Sequence, residues 1–348
     1  MADLSLLAKP TCLAIVPWLL VFFIRRAFIT LLGGAAWPLA ARAQQVVPAR
    51  RIGALVPHDE SDPEAQIRVA TFRQALHRLG WSDGRNIQIE LRFTTTPDAA
   101  TMRRLTNELL DLHPDLFLTE STPPTAAMLQ QTRSIPVVFV QVADPVGSGF
   151  VSSIPRPGGN ATGFTNIAPS MSGKWLELLR DIAPSTARVA FLLNPATAPY
   201  APIYLDTFKS AAAALKVEGI AGPVHDTSEI KSTISALEGG GLIVLPSVFT
   251  TVHRDLIIAE AARHRVPAIY PFRHFAISGG LMSYGNLPAD VYRQAAFYVD
   301  RILRGAQPAD LPVQAPTKFE LVINLRTAAT LGLTVPLIMQ MTADEVIE

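Results

Sequence analysis

The feature that most constrains this chain is an alternation: from Arg51 to Pro271, short apolar runs rich in β-formers take turns with longer segments of helical spacing. Strands separated by helices pair in parallel, and a parallel sheet needs helices on both faces. The first pass is regular. Residues 51–56 read as a strand, and 63–79 as a helix on the three-to-four spacing of Ile67, Ala70, Phe72, Ala75, Leu76 and Leu79, closed by Gly80. Strands follow at 86–93, 115–119 and 135–142, with helices around 99–112 and 124–131 between them.

The segment 144–163 is dense in proline and glycine and predicts no regular structure, so it reads as a crossing between two lobes. Beyond it the pattern restarts, with helices at 173–182, 203–215, 229–237 and 252–264, and strands at 188–193, 217–221, 241–245 and 267–271. Leu79-Gly80-Trp81 and Leu215-Lys216-Val217 close corresponding helices just before a strand. A further strand at 280–284, a helix at 289–303 and a proline-marked crossing at 312–316 break simple halving. The expected fold is therefore α/β, with two doubly wound parallel-sheet lobes on a multi-crossing hinge. One lobe is expected from 50–160 plus 274–312, the other from 161–273 plus 313–348. Ligands of open α/β sheets bind beyond the carboxyl ends of the strands, which here border one cleft.

The N-terminus reads as an export segment. Arg25-Arg26 precede the weakly apolar run Phe28 to Trp37, and Ala41-Arg42-Ala43 is a small-x-small cleavage site, so residues 1–43 form the expected presequence. Paired arginines before a Gly/Ala-containing run resemble a twin-arginine signal; an ordinary Sec signal is the alternative, and both routes lead to the periplasm. The apolar stretch 11–24 is broken by Pro17 and ended by the arginines, short of the roughly 20 residues of a spanning helix, and a start nearer Arg25 is expected. Cys12 is the only cysteine and lies in this presequence, which leaves no thiol chemistry downstream. Removing residues 1–43, with their four cations and Asp3, takes the formal charge from +1 to −2. No block of five or six like charges occurs, so no nucleic-acid partner is expected.

Three motifs carry a resemblance. The stretch from Val146 to Phe164 with its Ser-Ile-Pro-Arg-Pro-Gly-Gly-Asn-Ala-Thr-Gly, the run Gly279-Gly280-Leu281-Met282-Ser283-Tyr284-Gly285, and the run from Pro316 to Leu325 are similar to the ABC transporter substrate-binding family related to tryptophan/tyrosine importers. The likeness runs from Arg25 to Glu348. It implies a type I periplasmic-binding fold, capture of a small organic solute such as an amino acid or aromatic compound, and an inner-membrane ABC permease as partner, with the protein itself a monomer.

Loops leaving the strand ends nominate ligand contacts from residue chemistry alone. Ser121 and Thr122 precede a short helix whose free N–H groups would suit a carboxylate, or they simply cap it. Asp144 could meet a ligand amine or initiate a turn before Pro145, and Asn194 before Pro195 has the same two readings. Ser247 and Thr250 supply hydroxyls, and Tyr270 and Tyr284 a ring or one hydrogen bond, with rim packing as the plainer role.

Catalytic readings lack their parts. There is no phosphate loop, no Gly-x-Gly-x-x-Gly after the first strand and no Gly-x-Ser-x-Gly elbow, and Ser283 is expected to be ordinary strand structure. The seven histidines show no metal-ligand spacing, so no cofactor, metal or catalytic residue is expected. Two other classes stay open at this level: a ligand-sensing module for a separate receptor, and an α/β enzyme, because a fold alone does not fix function.

Overall fold

The computed structural model describes residues 49–96 and 98–348. The expected presequence, its arginine pair and the apolar stretch 11–24 lie outside the described residues. Within 49–348 the first sheet is built by β1 (Arg50–Val56), β2 (Ile87–Phe93), β3 (Leu116–Glu120), β4 (Val137–Val142) and β5 (Ala161–Thr165), in the order β2-β1-β3-β4-β5. Every pairing in it is parallel. The helices α1 (Pro63–Arg78), α2 (Ala99–Asp111) and α3 (Thr122–Gln131) connect these strands.

The central strands β3 and β4 are buried on both faces, which explains why they are apolar almost throughout. Leu116, Leu118, Val138 and Val140 enter the core on one face, while Phe117, Val137 and Phe139 enter a separate core on the other. The helix α1 buries Ala65, Arg68, Val69, Phe72, Ala75 and Leu76, while Ile67 is half exposed. The apolar stripe is therefore rotated from the one the spacing of Ile67 and Ala70 predicts, and it carries an arginine inward.

The second sheet has seven strands in the order β12-β11-β10-β9-β8-β6-β7. They are β6 (Arg188–Leu193), β7 (Glu218–Pro223), β8 (Gly241–Val244), β9 (Ala268–Tyr270), β10 (Met282–Asn286), β11 (Phe319–Asn324) and β12 (Glu345–Ile347). Only β10 and β11 run antiparallel; the other pairs are parallel. Its helices are α4 (Met171–Ile182), α5 (Ala201–Ala214), α6 (Thr227–Ser235), α7 (Val248–Val252), α8 (Arg254–Arg263) and α9 (Arg273–Ile277), followed after β11 by α11 (Leu325–Thr330) and α12 (Leu337–Thr342). The helix expected at 252–264 is α8, and the short α7 that precedes it was not expected; His253 is C-cap of α7 and N-cap of α8.

The expected lobe boundaries move at three places. The strand β5 lies in the first sheet beside β4, so the proline- and glycine-rich segment before it stays in the first lobe, and the chain first crosses after Thr165. Gly163 makes this pairing possible, since a Cβ there would stand 1.9 Å from the Phe139 carbonyl oxygen. The strand β10 joins β9 in the second sheet rather than the first. Only then does the chain cross back with α10 (Pro288–Leu303), which packs on α1 and β4 through Val291, Tyr292, Ala295 and Val299. The third crossing follows Gln314, whose backbone bonds Gly163 and Thr165 alongside β5. Three strands of chain thus join the lobes.

Candidate ligand-binding cleft

Strand carboxyl ends of both sheets face one cavity. The first lobe lines it with Pro57 and His58 after β1, Arg68 of α1, Glu120 and Ser121 at the end of β3, and Gln141 of β4. Across from them stand Asn166 on the first crossing, Ser247, Val248 and Thr251 of the α7 turn, and Phe272 after β9. The space between these residues is about 340 Å³, counting the open solvent at its mouth.

Two lining residues hold unusual backbone. Ser121 sits at φ 74° and ψ 167°, a region adopted almost only by glycine, and Gln141 sits at φ 57° where the β4–β5 register shifts. The other non-glycine residues of positive φ, His113, Lys216 and Arg265, stand in turns just past helix ends, where that conformation is ordinary. Backbone strain at two neighbouring strand ends in one cavity marks a place whose geometry the surrounding structure over-determines.

A charged cluster forms the first lobe's wall. Arg68 is 3% exposed and its Nη1 donates to Glu120 Oε1 at 2.5 Å, while the Tyr292 hydroxyl donates to Glu120 Oε2 at 2.8 Å. The same Arg68 nitrogen lies 2.8 Å from His58 Nε2. A guanidinium only donates, so His58 Nε2 accepts there and its proton rests on Nδ1, towards Asp62 3.9 Å away. The 3.4 Å approach of His58 Nε2 to Glu120 is then a contact between two acceptors and not a hydrogen bond. Burial alone would raise the Glu120 pKa, but the Arg68 charge beside it and the Tyr292 hydrogen bond hold it at about 2, so it is a carboxylate. Burial and the same carboxylate push the Tyr292 hydroxyl well above its ordinary value.

The lobes touch across the cleft mouth. Arg254 of α8 donates to Asp62 Oδ2 at 2.7 Å, and Asn286 Nδ2 donates to Gln141 Oε1 at 3.3 Å. His274 of α9 approaches Glu64 of α1 at 3.9 Å, and neither ring nitrogen has a hydrogen-bond partner. Burial, reinforced by the positive charge of Arg68 and Arg254, pushes its pKa well below the ordinary histidine value.

The family model described as "ABC transporter substrate binding protein" matches residues 52–347, nearly all of both lobes. The chain belongs to this family. A curated relative, the tyrosine-binding protein of Clostridioides difficile, is 26% identical over 264 residues, which is 75% of each chain. Among solved structures, the ABC domain from Streptococcus pneumonia in complex with L-Trp aligns with a TM-score of 0.79 at 22% identity, covering 86% of this chain and all of that one. A ligand-free, open substrate-binding protein with adhesive properties from Clostridium difficile aligns with a TM-score of 0.65 at 22% identity, covering 86% of this chain and 99% of that one. The periplasmic binding ribose operon repressor protein from Lactobacillus acidophilus shares the type I fold more distantly, with a TM-score of 0.54 at 13% identity, covering 77% of this chain and 95% of that one. The expected two-lobed fold and substrate-binding family are thereby established.

Of the residues nominated from sequence, Ser121 and Ser247 line the cavity. Thr122 is buried just behind, its hydroxyl unpartnered, but Pro123 and Pro124 remove two of the N–H groups that the anion reading of this helix start needs. Thr250 is spent in the capping box of α7, bonded to Ser247 and the Leu245 carbonyl. The Asp144 carboxylate accepts from the Gly147 N–H within its turn. Asn194 ties its loop together through Thr197 and the Val224 carbonyl. Tyr270 is buried against Phe275, ring centroids 5.0 Å apart, and Tyr284 stacks on Phe319; neither lines the cleft. For these five the plainer structural role describes what the side chain does.

Of the remaining lining residues, His58, Glu120 and Phe272 belong to the segments at strand ends that the sequence points to, whereas Arg68, Gln141, Asn166 and Thr251 were not among its nominees. Position just after a strand marks His58, Asn166 and Phe272, whereas Glu120 and Gln141 lie near the ends of strands and Arg68 and Thr251 on helices.

Proposed function

We propose that this chain captures a small organic solute between its lobes and presents the closed form to an ABC importer's permease outside the cytoplasm, with no chemistry done on the ligand. One observation carries the reading: polar side chains from both lobes meet in one strained cleft, and Arg68, Gln141 and Asn166 bring buried hydrogen-bonding atoms that no protein group satisfies. Such atoms cost stability unless something meets them, which is what a ligand would do. Contacts from both lobes exist only in the closed form, so the ligand shifts the open–closed population by its differential affinity. The names of the relatives make amino acids and aromatic compounds the first probes. Arg25-Arg26 and Ala41-Arg42-Ala43 support export, the arginine pair favouring the twin-arginine route.

The test is thermal melting of the purified protein against amino acids, aromatic acids, nucleosides and sugars. A ligand at one hundred times its Kd stabilises by about 2.7 kcal/mol, which is a rise of about 5 °C. A saturable rise with the solute recovered unchanged is the expected result. Conversion of the solute would make the protein an enzyme, and the absence of any rise across the panel would count against solute capture.

A further inference from the structure

The polar wall of the cleft is unevenly supplied. Glu120, the only carboxylate lining the cavity among the described residues, has a partner on each oxygen, Arg68 on Oε1 and Tyr292 on Oε2. Arg68 is different. It gives Nη1 to Glu120 and His58, while Nε and Nη2 are buried with no partner. Those two nitrogens form one edge of the guanidinium, the edge whose parallel N–H groups fit the two oxygens of a carboxylate. Gln141, which lines the same cavity, has a second unpartnered donor in Nε2, while its amide oxygen accepts from Asn286. Facing them from the first crossing, Asn166 has an unpartnered Oδ1, ready for a ligand N–H or O–H.

We propose that the cleft recognises its ligand by a carboxylate received on the free Nε and Nη2 edge of Arg68, and that a ligand ammonium is dispensable. This rests on the solute-capture reading above. An acidic ligand meets a complete, unused pair of donors. An ammonium must instead share a carboxylate that already has a partner on each oxygen and a guanidinium at 2.5 Å. The ligand class is therefore small organic acids, with or without an amino group, held at the acid end by the first lobe and at a donor group by Asn166.

Matched series separate the two charges: L-tyrosine, 3-(4-hydroxyphenyl)propionate and tyramine; L-tryptophan, indole-3-propionate and tryptamine; L-leucine, 4-methylpentanoate and 3-methylbutylamine. Calorimetry on the full-length protein at neutral pH is expected to show, in a series that binds, the amine-free acid within about tenfold of the amino acid and the acid-free amine at least about a hundredfold weaker. Replacing Arg68→Gln and Glu120→Gln together removes the guanidinium without stranding either charge. This double variant is expected to weaken the acid by at least about thirtyfold while retaining its circular dichroism spectrum. An amine that binds as tightly as its amino acid while the acid fails overturns the proposal, and this comparison needs no variant. Binding of sugars or nucleosides alone would overturn it while leaving solute capture intact, whereas no binding by any of these solutes would fail both.

Discussion

At the residue scale the buried Arg68–Glu120 pair is the costliest feature of the first lobe and the best placed to be useful. Changing Glu120→Ala strands a guanidinium that is 3% exposed, and a loss of about 3–5 kcal/mol is expected in denaturant unfolding, more than the double replacement with glutamine. The pair also sets an acid limit. The Glu120 pKa is depressed to about 2, so its contribution is present above the ordinary carboxylate range near 4.3 and is lost as pH falls towards 2. His274 acts in a higher window and in the same direction. It is held neutral by burial and by the positive charges of Arg68 and Arg254, against the opposing charges of Glu120 and Glu64. The unfolded chain takes up a proton below about pH 6.5 while the folded chain does not, so stability falls as pH drops through that value. Since His274 stacks with Phe272 and Phe275 and its nitrogens bond nothing, His274→Phe is expected to keep or raise the melting temperature at pH 7 and to flatten its decline between pH 6.5 and 5. A variant that declines as steeply as the parent would show that His274 is not the titrating group. Arg68 was illegible beforehand for a simple reason: on an amphipathic helix an arginine reads as solvent-facing, and only Glu120, more than fifty positions away, makes its burial tolerable.

At the scale of elements, the strands buried on two faces were plain in the sequence, because continuous apolar runs of that length have few other uses. The strand β5 was not. Gly163 interrupts its pattern, and the reason for the glycine is a carbonyl on β4 that the local sequence does not contain. Gly163→Ala is accordingly expected to part β4 from β5 and lower stability by more than about 2 kcal/mol, read as a reduced midpoint in urea. The matching ends of α1 and α5 make the opposite case. Gly80 at φ 94° and Lys216 at φ 53° terminate them in the same left-handed turn, one with the residue suited to it and one without. Lys216→Gly is expected to raise stability by about 0.5–1 kcal/mol, the relief of the strained backbone less the extra freedom of glycine when unfolded. A loss of stability would mean that the lysine side chain contributes more than its backbone costs.

For the whole molecule the decisive contacts are those between lobes. Asp62→Asn preserves the N-cap of α1 but removes the charge that holds Arg254, and this separates local helix stability from lobe closure. With Arg254 one-fifth exposed, a cost of about 1–2 kcal/mol is expected on the closed form alone. Ligand affinity should fall up to about tenfold, and small-angle scattering of the ligand-free protein should report a larger radius of gyration. An unchanged affinity and radius would remove the pair from the closing mechanism.

The sequence by itself determined the class of fold, the two-lobed plan and the family, because each follows from local spacing, turn chemistry or short motifs. Tertiary structure decided which lobe owns β5 and β10, and which polar residues face the cleft. Those outcomes depend on pairings between residues far apart in the chain, such as the Phe139 carbonyl that demands a glycine and the glutamate that lets an arginine be buried.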